Sequence, residues 1–212
     1  MKKVITFWVT LITTMCMLSA CSRAQQPPSE KTAASPANKK VLIVYLSRTN
    51  NTKAIAQIIH KHVGGELIAL ELVNPYPENY KAIVDQVANE NTSGFLPPLK
   101  TKIESIEKYD VVFLGFPTWG MQLPPPMKSF LNKYDLDGKT IIPFNTNAGY
   151  GIGSSFQTVK ALCPNSTILE GFSTKGGVER DGIKFVMEGE KEKQAQVEVK
   201  RWLQKIGMLS EH

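Results

Sequence analysis

Hydrophobic residues along the chain alternate between two periods. Residues 40–46, Lys-Val-Leu-Ile-Val-Tyr-Leu, form a continuous apolar run rich in β-branched side chains, the pattern of a strand buried on both faces. From Asn51 the apolar positions fall at Ile55, Ile58, Ile59 and Val63, which is helical spacing, and Gly64-Gly65 closes that helix. The same change of period recurs along the chain. Strands are expected over residues 66–73, 109–116, 139–145 and 166–172, and helices over residues 75–91, 124–134, 153–162 and 190–206. Strand–helix units in strict alternation, joined by short connections, predict an α/β fold. The strands must then form one parallel sheet with helices on both faces, because each crossover is right-handed. Residues 175–189 are Gly-rich and charged, follow neither period, and are expected to be an irregular loop or hairpin.

The pattern before residue 39 is of another kind. Lys2 and Lys3 precede an apolar stretch from Val4 to Leu18, too short to span a bilayer comfortably, and Ser19-Ala20 then supply small residues ahead of Cys21. That order is expected of an export signal over residues 1–20. The run Leu18-Ser19-Ala20-Cys21 resembles the lipobox of bacterial lipoproteins, which implies a lipid on Cys21 and anchoring at the periplasmic face or cell surface. Residues 22–38, rich in Gln, Pro, Ser and Ala, hold too little apolar surface to offset the entropy of ordering and are read as a flexible tether. A single folded domain is expected over residues 39–212, a length that suits one core.

With Cys16 removed and Cys21 lipidated, Cys163 is the remaining cysteine of the chain, and beside Pro164 at a helix end it reads as a buried structural thiol. The formal charge of +6 falls by two when Lys2 and Lys3 leave. The lysines are scattered and not interleaved with aromatics, which argues against a nucleic-acid partner. His60 and His62, two apart on one helix, do not face each other as a metal pair would, and favour the helix C-terminus instead.

Ligands of an open doubly wound sheet bind beyond the carboxyl ends of its strands. Three loops lie there. The first, Ser47-Arg48-Thr49-Asn50-Asn51-Thr52-Lys53, runs from a buried strand into a helix start, where unpaired N–H groups and a partial positive charge suit a phosphate. The second, Phe116-Pro117-Thr118-Trp119-Gly120-Met121-Gln122 followed by prolines, offers an indole face. The third, Asn145-Thr146-Asn147-Ala148-Gly149-Tyr150-Gly151-Ile152-Gly153, is glycine-rich and lets a ligand approach the backbone.

The first loop is similar to the Ser-x-Thr-Gly-Asn-Thr phosphate loop of flavodoxins, with Asn50 in place of the usual Gly; Asn is the next best residue for a left-handed backbone. The second resembles the Gly-x-Pro-x-Trp segment of flavodoxins and their reductase relatives. Pro75-Tyr76-Pro77 and Leu162-Cys163-Pro164 match a flavodoxin-like group and look structural. The resemblance spans residues 40–207. It implies five parallel strands in the order 2-1-3-4-5 and FMN as cofactor. It further implies that Ser47, Arg48, Thr49, Asn50, Asn51 and Thr52 hold the phosphate. Pro117, Thr118, Trp119 and Gly120, with Asn145, Thr146, Asn147, Gly149, Tyr150 and Gly151, would surround the flavin ring, Trp119 on one face and Tyr150 on the other.

None of the three loops contains Asp or Glu, whereas Arg48, Lys53 and Lys128 lie in or just beyond them. Negative charge beside a flavin lowers its potential, and the electron-carrying flavodoxins it resembles are acidic there. The opposite balance leaves the fully reduced flavin easier to hold. The expected activity is therefore two-electron reduction of a quinone-like or other small acceptor, fed by a donor that includes a membrane redox partner. A one-electron carrier and a non-catalytic flavodoxin-fold binding lipoprotein are the alternatives.

Overall fold

The computed structural model describes residues 39–210. The segments expected to be an export signal and a tether, and Cys21 between them, lie outside the described residues. Six strands and five helices alternate: β1 Val41–Tyr45, α1 Asn51–Val63, β2 Glu66–Ala69, α2 Tyr80–Ser93, β3 Val111–Pro117, α3 Pro125–Lys133, β4 Thr140–Asn147, α4 Ser155–Leu162, β5 Thr167–Ile168, β6 Phe172–Lys175 and α5 Gly189–Lys205. All strand pairs are parallel, in the order β2-β1-β3-β4, with β5 and β6 both paired to the outer edge of β4. This is the 2-1-3-4-5 order, the fifth place being shared by two short segments.

The sheet is covered on both sides. Ile43, Phe113 and Phe144 pack with Ile55 and Ile59 of α1 and Val199 and Leu203 of α5. Leu42, Val44, Val112 and Leu114 face the other way, onto Met127 and Phe130 of α3 and Val159 of α4. Adjacent residues of β1 and β3 are thus buried on opposite faces, which is why those strands read as unbroken apolar runs. Cys163 is buried in the second layer, and burial, with Asp137 nearby, pushes its thiol up to about 11.

Three boundaries differ from the sequence expectation. The strand expected over residues 166–172 is split. Ile141 accepts from Leu169 N–H on the β5 side. Pro143, two residues on, faces the same way and has no N–H to return. There the outer strand bulges, Leu169–Gly171 opposing two residues of β4. A Cβ on Gly171 would lie 2.4 Å from the Phe156 ring, so glycine is required at the bulge. The helix expected from Pro75 begins instead at Tyr80, because residues before proline avoid helical backbone. Asn79 caps it, its Oδ1 accepting from Ala82 N–H at 2.9 Å. β2 ends at Ala69 and not at residue 73, because residues 71–73 turn to pair with residues 98–101.

Candidate functional site

The β1–α1 loop is built to leave donors free. Asn50 stands at the N-cap of α1 with φ 62°, the left-handed turn that its side chain tolerates, and makes no capping hydrogen bond with that side chain. Lys53 N–H donates to Ser47 Oγ at 3.2 Å and Ala54 N–H to Asn50 O at 2.9 Å. The N–H groups of Thr49, Asn50, Asn51 and Thr52 have no acceptor among the described residues. Four unpaired amides at the positive end of a 13-residue helix make a site for an anion.

The side chains here are fixed. Asn51, buried, donates to Thr49 Oγ1 at 2.9 Å and to Lys184 O at 2.6 Å, and its Oδ1 accepts from Val186 N–H at 3.1 Å. Thr52, also buried, shares a hydrogen bond with Thr146 across 2.8 Å. Thr49, Asn51 and Thr52 line a cavity of about 120 Å³ together with Pro117, Thr118, Thr146, Asn147 and Gly176. The three strand ends expected to converge do converge.

The β3–α3 and β4–α4 loops are tied to each other. Asn145 is fully buried and donates to Phe116 O and to Thr118 Oγ1, each at 3.0 Å. Thr118 donates through its hydroxyl to Gly151 O at 2.9 Å. Asn147 Oδ1 accepts from Gly149 N–H at 2.8 Å and Gly151 N–H at 3.1 Å, so two amides of the glycine-rich loop are taken up within it. Gly153 packs against the other loop: a Cβ there would lie 2.0 Å from Met121 O. Gly120 is exposed at the turn before Met121.

Trp119 is half-buried, and Tyr76 meets its ring edge-on at 5.4 Å and 87°. Tyr76 in turn donates to the carboxylate of Glu90, a buried residue of α2 that also accepts from Gln86 at 2.8 Å. Burial first, and the Glu90 carboxylate second, hold the Tyr76 phenol far above its ordinary range. Tyr150 is not brought to the opposite side of a shared cavity. It is 64% exposed, lines none of the three cavities at Trp119, and its hydroxyl accepts from Arg180 at 3.3 Å.

Two groups at the site carry no signal in the pattern of the sequence. Glu179 comes from the segment expected to be an irregular loop, which folds over the first loop. Its carboxylate takes Arg48 Nε at 2.8 and 3.1 Å, while the other Arg48 nitrogens donate to Pro77 O and Glu78 O at 3.0 and 2.5 Å. Arg48 is therefore engaged by a carboxylate and two carbonyls. Tyr80, at the first turn of α2, lines both the 120 Å³ cavity and a second one of about 420 Å³. It is 41% exposed. Lys53 is exposed, and burial holds the Lys128 ammonium below its ordinary pKa, with Asn91 accepting from it at 2.9 Å. Among the described residues no group of His, Cys, Asp and Glu could hold a metal ion.

Known proteins share this fold. A curated flavodoxin of Nostoc sp. is 22% identical over 152 residues, covering 70% of this chain and 75% of that protein. The crystal structure of a chain assigned as a flavoprotein from Bacteroides eggerthii matches 80% of this chain and 98% of its own, with 28% identity and a TM-score of 0.62. A flavoprotein from Lactobacillus acidophilus, solved in complex with FMN, has the same fold: 19% identity, TM-score 0.58, 65% of this chain and 93% of that one. The family model described as flavodoxin matches residues 40–189, which holds all three loops, Glu179 and the whole sheet. On that match and on the sheet order, this chain belongs to the flavodoxin family.

Proposed function

We propose that this protein is an FMN-binding oxidoreductase that passes two electrons to a small acceptor of the quinone class. The observation that carries the FMN reading is the run of unpartnered amides from Thr49 to Thr52 at the start of α1. A phosphate there would take those four N–H groups and the hydroxyls of Thr49 and Thr52, without needing a cation of its own. The cavity of about 120 Å³ has room for such a group but not for a ring system. The ring would stand on the wall of Trp119 and Thr118. The Lactobacillus acidophilus protein of the same fold, solved with FMN, supports the reading. When bound, the flavin supplies the redox chemistry; the chain binds it, orients it and sets the charge around it.

Charge favours the two-electron reading. Of the three cavities with Trp119 in their walls, those of about 120 and 420 Å³ hold one carboxylate, Glu179, which Arg48 pairs, and that of about 360 Å³ holds Glu71, which Lys100 pairs. The alternative is a one-electron carrier, in which Arg48 would turn to the phosphate and leave Glu179 unpaired beside the flavin. Anaerobic photoreduction of the FMN-loaded protein, followed by absorbance, separates the two. Reduction in one two-electron step is expected; a one-electron-reduced species accumulating as the main intermediate would overturn the reductase reading.

The remaining proposal concerns Cys21. Export, lipidation of this residue and retention at a membrane would place the domain near a membrane redox partner. Cys21→Ser should then appear in the soluble fraction with its signal uncleaved. A variant processed and fractionated like the wild type would refute the anchor.

A further inference from the structure

Pro75-Tyr76-Pro77 lies between β2 and α2 and touches both of the loops on which the cofactor reading depends. Proline fixes the backbone on either side of Tyr76, and a residue that precedes proline is held extended. Tyr76 therefore leaves a stiff segment in one direction. Its phenol donates to the carboxylate of Glu90, a buried residue of α2 14 positions further on. Gln86 donates to the other oxygen of that carboxylate at 2.8 Å. A buried carboxylate has to be hydrogen-bonded, so Glu90 holds the phenol as firmly as the phenol holds it. The side chain is braced at both ends, by the prolines and by Glu90.

Trp119 is what this braced ring meets. The two rings stand 5.4 Å apart at 87°, an arrangement that aromatic quadrupoles favour over others at that separation. The indole packs against the second core layer but has no polar anchor. Its Nε1–H finds no acceptor among the described residues, whereas Trp202 Nε1–H donates to Glu170 O at 2.9 Å. The backbone under Trp119 is strained. Trp119 and Gln122 bond each other both ways, at 3.4 and 3.0 Å, around Gly120 and Met121, both at positive φ of 55° and 59°. Positive φ is unfavourable for Met and persists where the surroundings impose it, here through Met121 O, which accepts from Ser154 N–H at 3.0 Å. The same segment also reaches the first loop, since Pro77 O and Glu78 O accept from Arg48 at 3.0 and 2.5 Å.

We propose that Tyr76 and Glu90 are positioning residues for the cofactor. Glu90 fixes the phenol, the phenol ring fixes the tilt of the Trp119 indole, and the indole sets the plane on which the flavin ring stands. Neither residue has to touch the ligand: Glu90 acts through Tyr76, and Tyr76 through Trp119. Their loss should therefore show in the surroundings of the ring and leave the phosphate contacts as they are. The proposal deepens the FMN reading above and rests on it.

The test is titration of the full-length protein with FMN, read by fluorescence quenching and by the visible circular dichroism of the bound flavin. The dichroism reports the asymmetric surroundings of the ring, which a change of stability alone does not move. Tyr76→Leu should lower FMN affinity about three- to tenfold and alter the visible band. Glu90→Ala, which frees the phenol, should change both in the same direction. Glu90→Gln, whose amide oxygen still accepts from the phenol, should recover most of the loss. In a Trp119→Leu background, Tyr76→Leu should add nothing further, because the two act as one unit. Wild-type affinity and spectrum in Tyr76→Leu or in Glu90→Ala would overturn the proposal. So would lowered affinity with an unchanged visible band, the mark of a merely structural role, or losses that add in the double variant. A wild type that binds no FMN would refute the cofactor reading itself and this proposal with it, a result distinct from the others.

Discussion

The first and third loops are both short and contain Asn and Thr, yet they dispose of their polar groups differently. In the third loop the amides of Gly149 and Gly151 are spent internally, and those without an acceptor among the described residues, Ala148, Tyr150, Ile152 and Gly153, lie mostly apart and not at a helix start. Asn147 takes the amides of Gly149 and Gly151, and Asn145 is fully buried between Phe116 and Thr118. In the first loop the side chains fix one another, with the Thr49 hydroxyl only accepting and its proton left over, and the backbone is not used. Asn51 is held by Lys184 and Val186, Thr52 by Thr146, and four consecutive amides stay unpaired. The lesson is that polar composition does not mark a binding loop; the disposition of its N–H groups does. One loop fastens two strand ends together, and the other offers its backbone to a ligand.

The contrast can be broken most strongly at Asn145. Removing its amide leaves Phe116 O with its sheet donor alone, takes a partner from Thr118 Oγ1 and opens a void at a fully buried position, at a cost on the order of 3 kcal/mol. Asn145→Ala should therefore shift the urea midpoint of the apoprotein markedly, while FMN affinity of the folded fraction changes little. A variant of wild-type stability with lost affinity would make Asn145 a ligand residue and erase the distinction.

Next in size is the loss at the first loop. Thr49→Ala and Thr52→Val should each forfeit a charge-assisted hydrogen bond of roughly 1.5–3 kcal/mol, about ten- to a hundred-fold in FMN affinity by fluorescence quenching. Thr49 is half-buried and bonded to Asn51, so the first variant reads affinity with little change in fold. Wild-type affinity in both would sink the phosphate assignment.

The smallest effect is expected at Glu179. Its side chain and that of Arg48 are 17% and 19% exposed, so screening limits their mutual attraction. Glu179→Gln keeps the shape and removes a negative charge near a bound phosphate, so FMN should bind about two- to threefold tighter at low salt. Weaker binding would show the reverse role, Glu179 holding Arg48 in place for the ligand.

The alternation of periods was enough to determine the class of fold, and the reason is burial. A central strand covered on both faces must be apolar at every residue, as Val41–Tyr45 and Val111–Phe116 are, and a covered helix apolar on one face. The first loop was legible for the same local reason: a strand end, a left-handed Asn50 and a helix start follow one another in sequence. Other features depended on contacts between distant residues. Pro143 breaks the outer strand opposite it, and within residues 166–172 Gly171 alone marks the place. Arg48 meets Glu179 across 131 positions, and Asn51 meets Lys184 across 133. Polar pairs of that kind leave no period in either partner, because each side chain needs one acceptor at one place and not a face. The tertiary structure alone decided which cation is neutralised and which amides stay free. It also left Tyr150 in solvent and Tyr80 at the cavity, because only the packing of the loops determines which of two aromatic side chains lines the space between them.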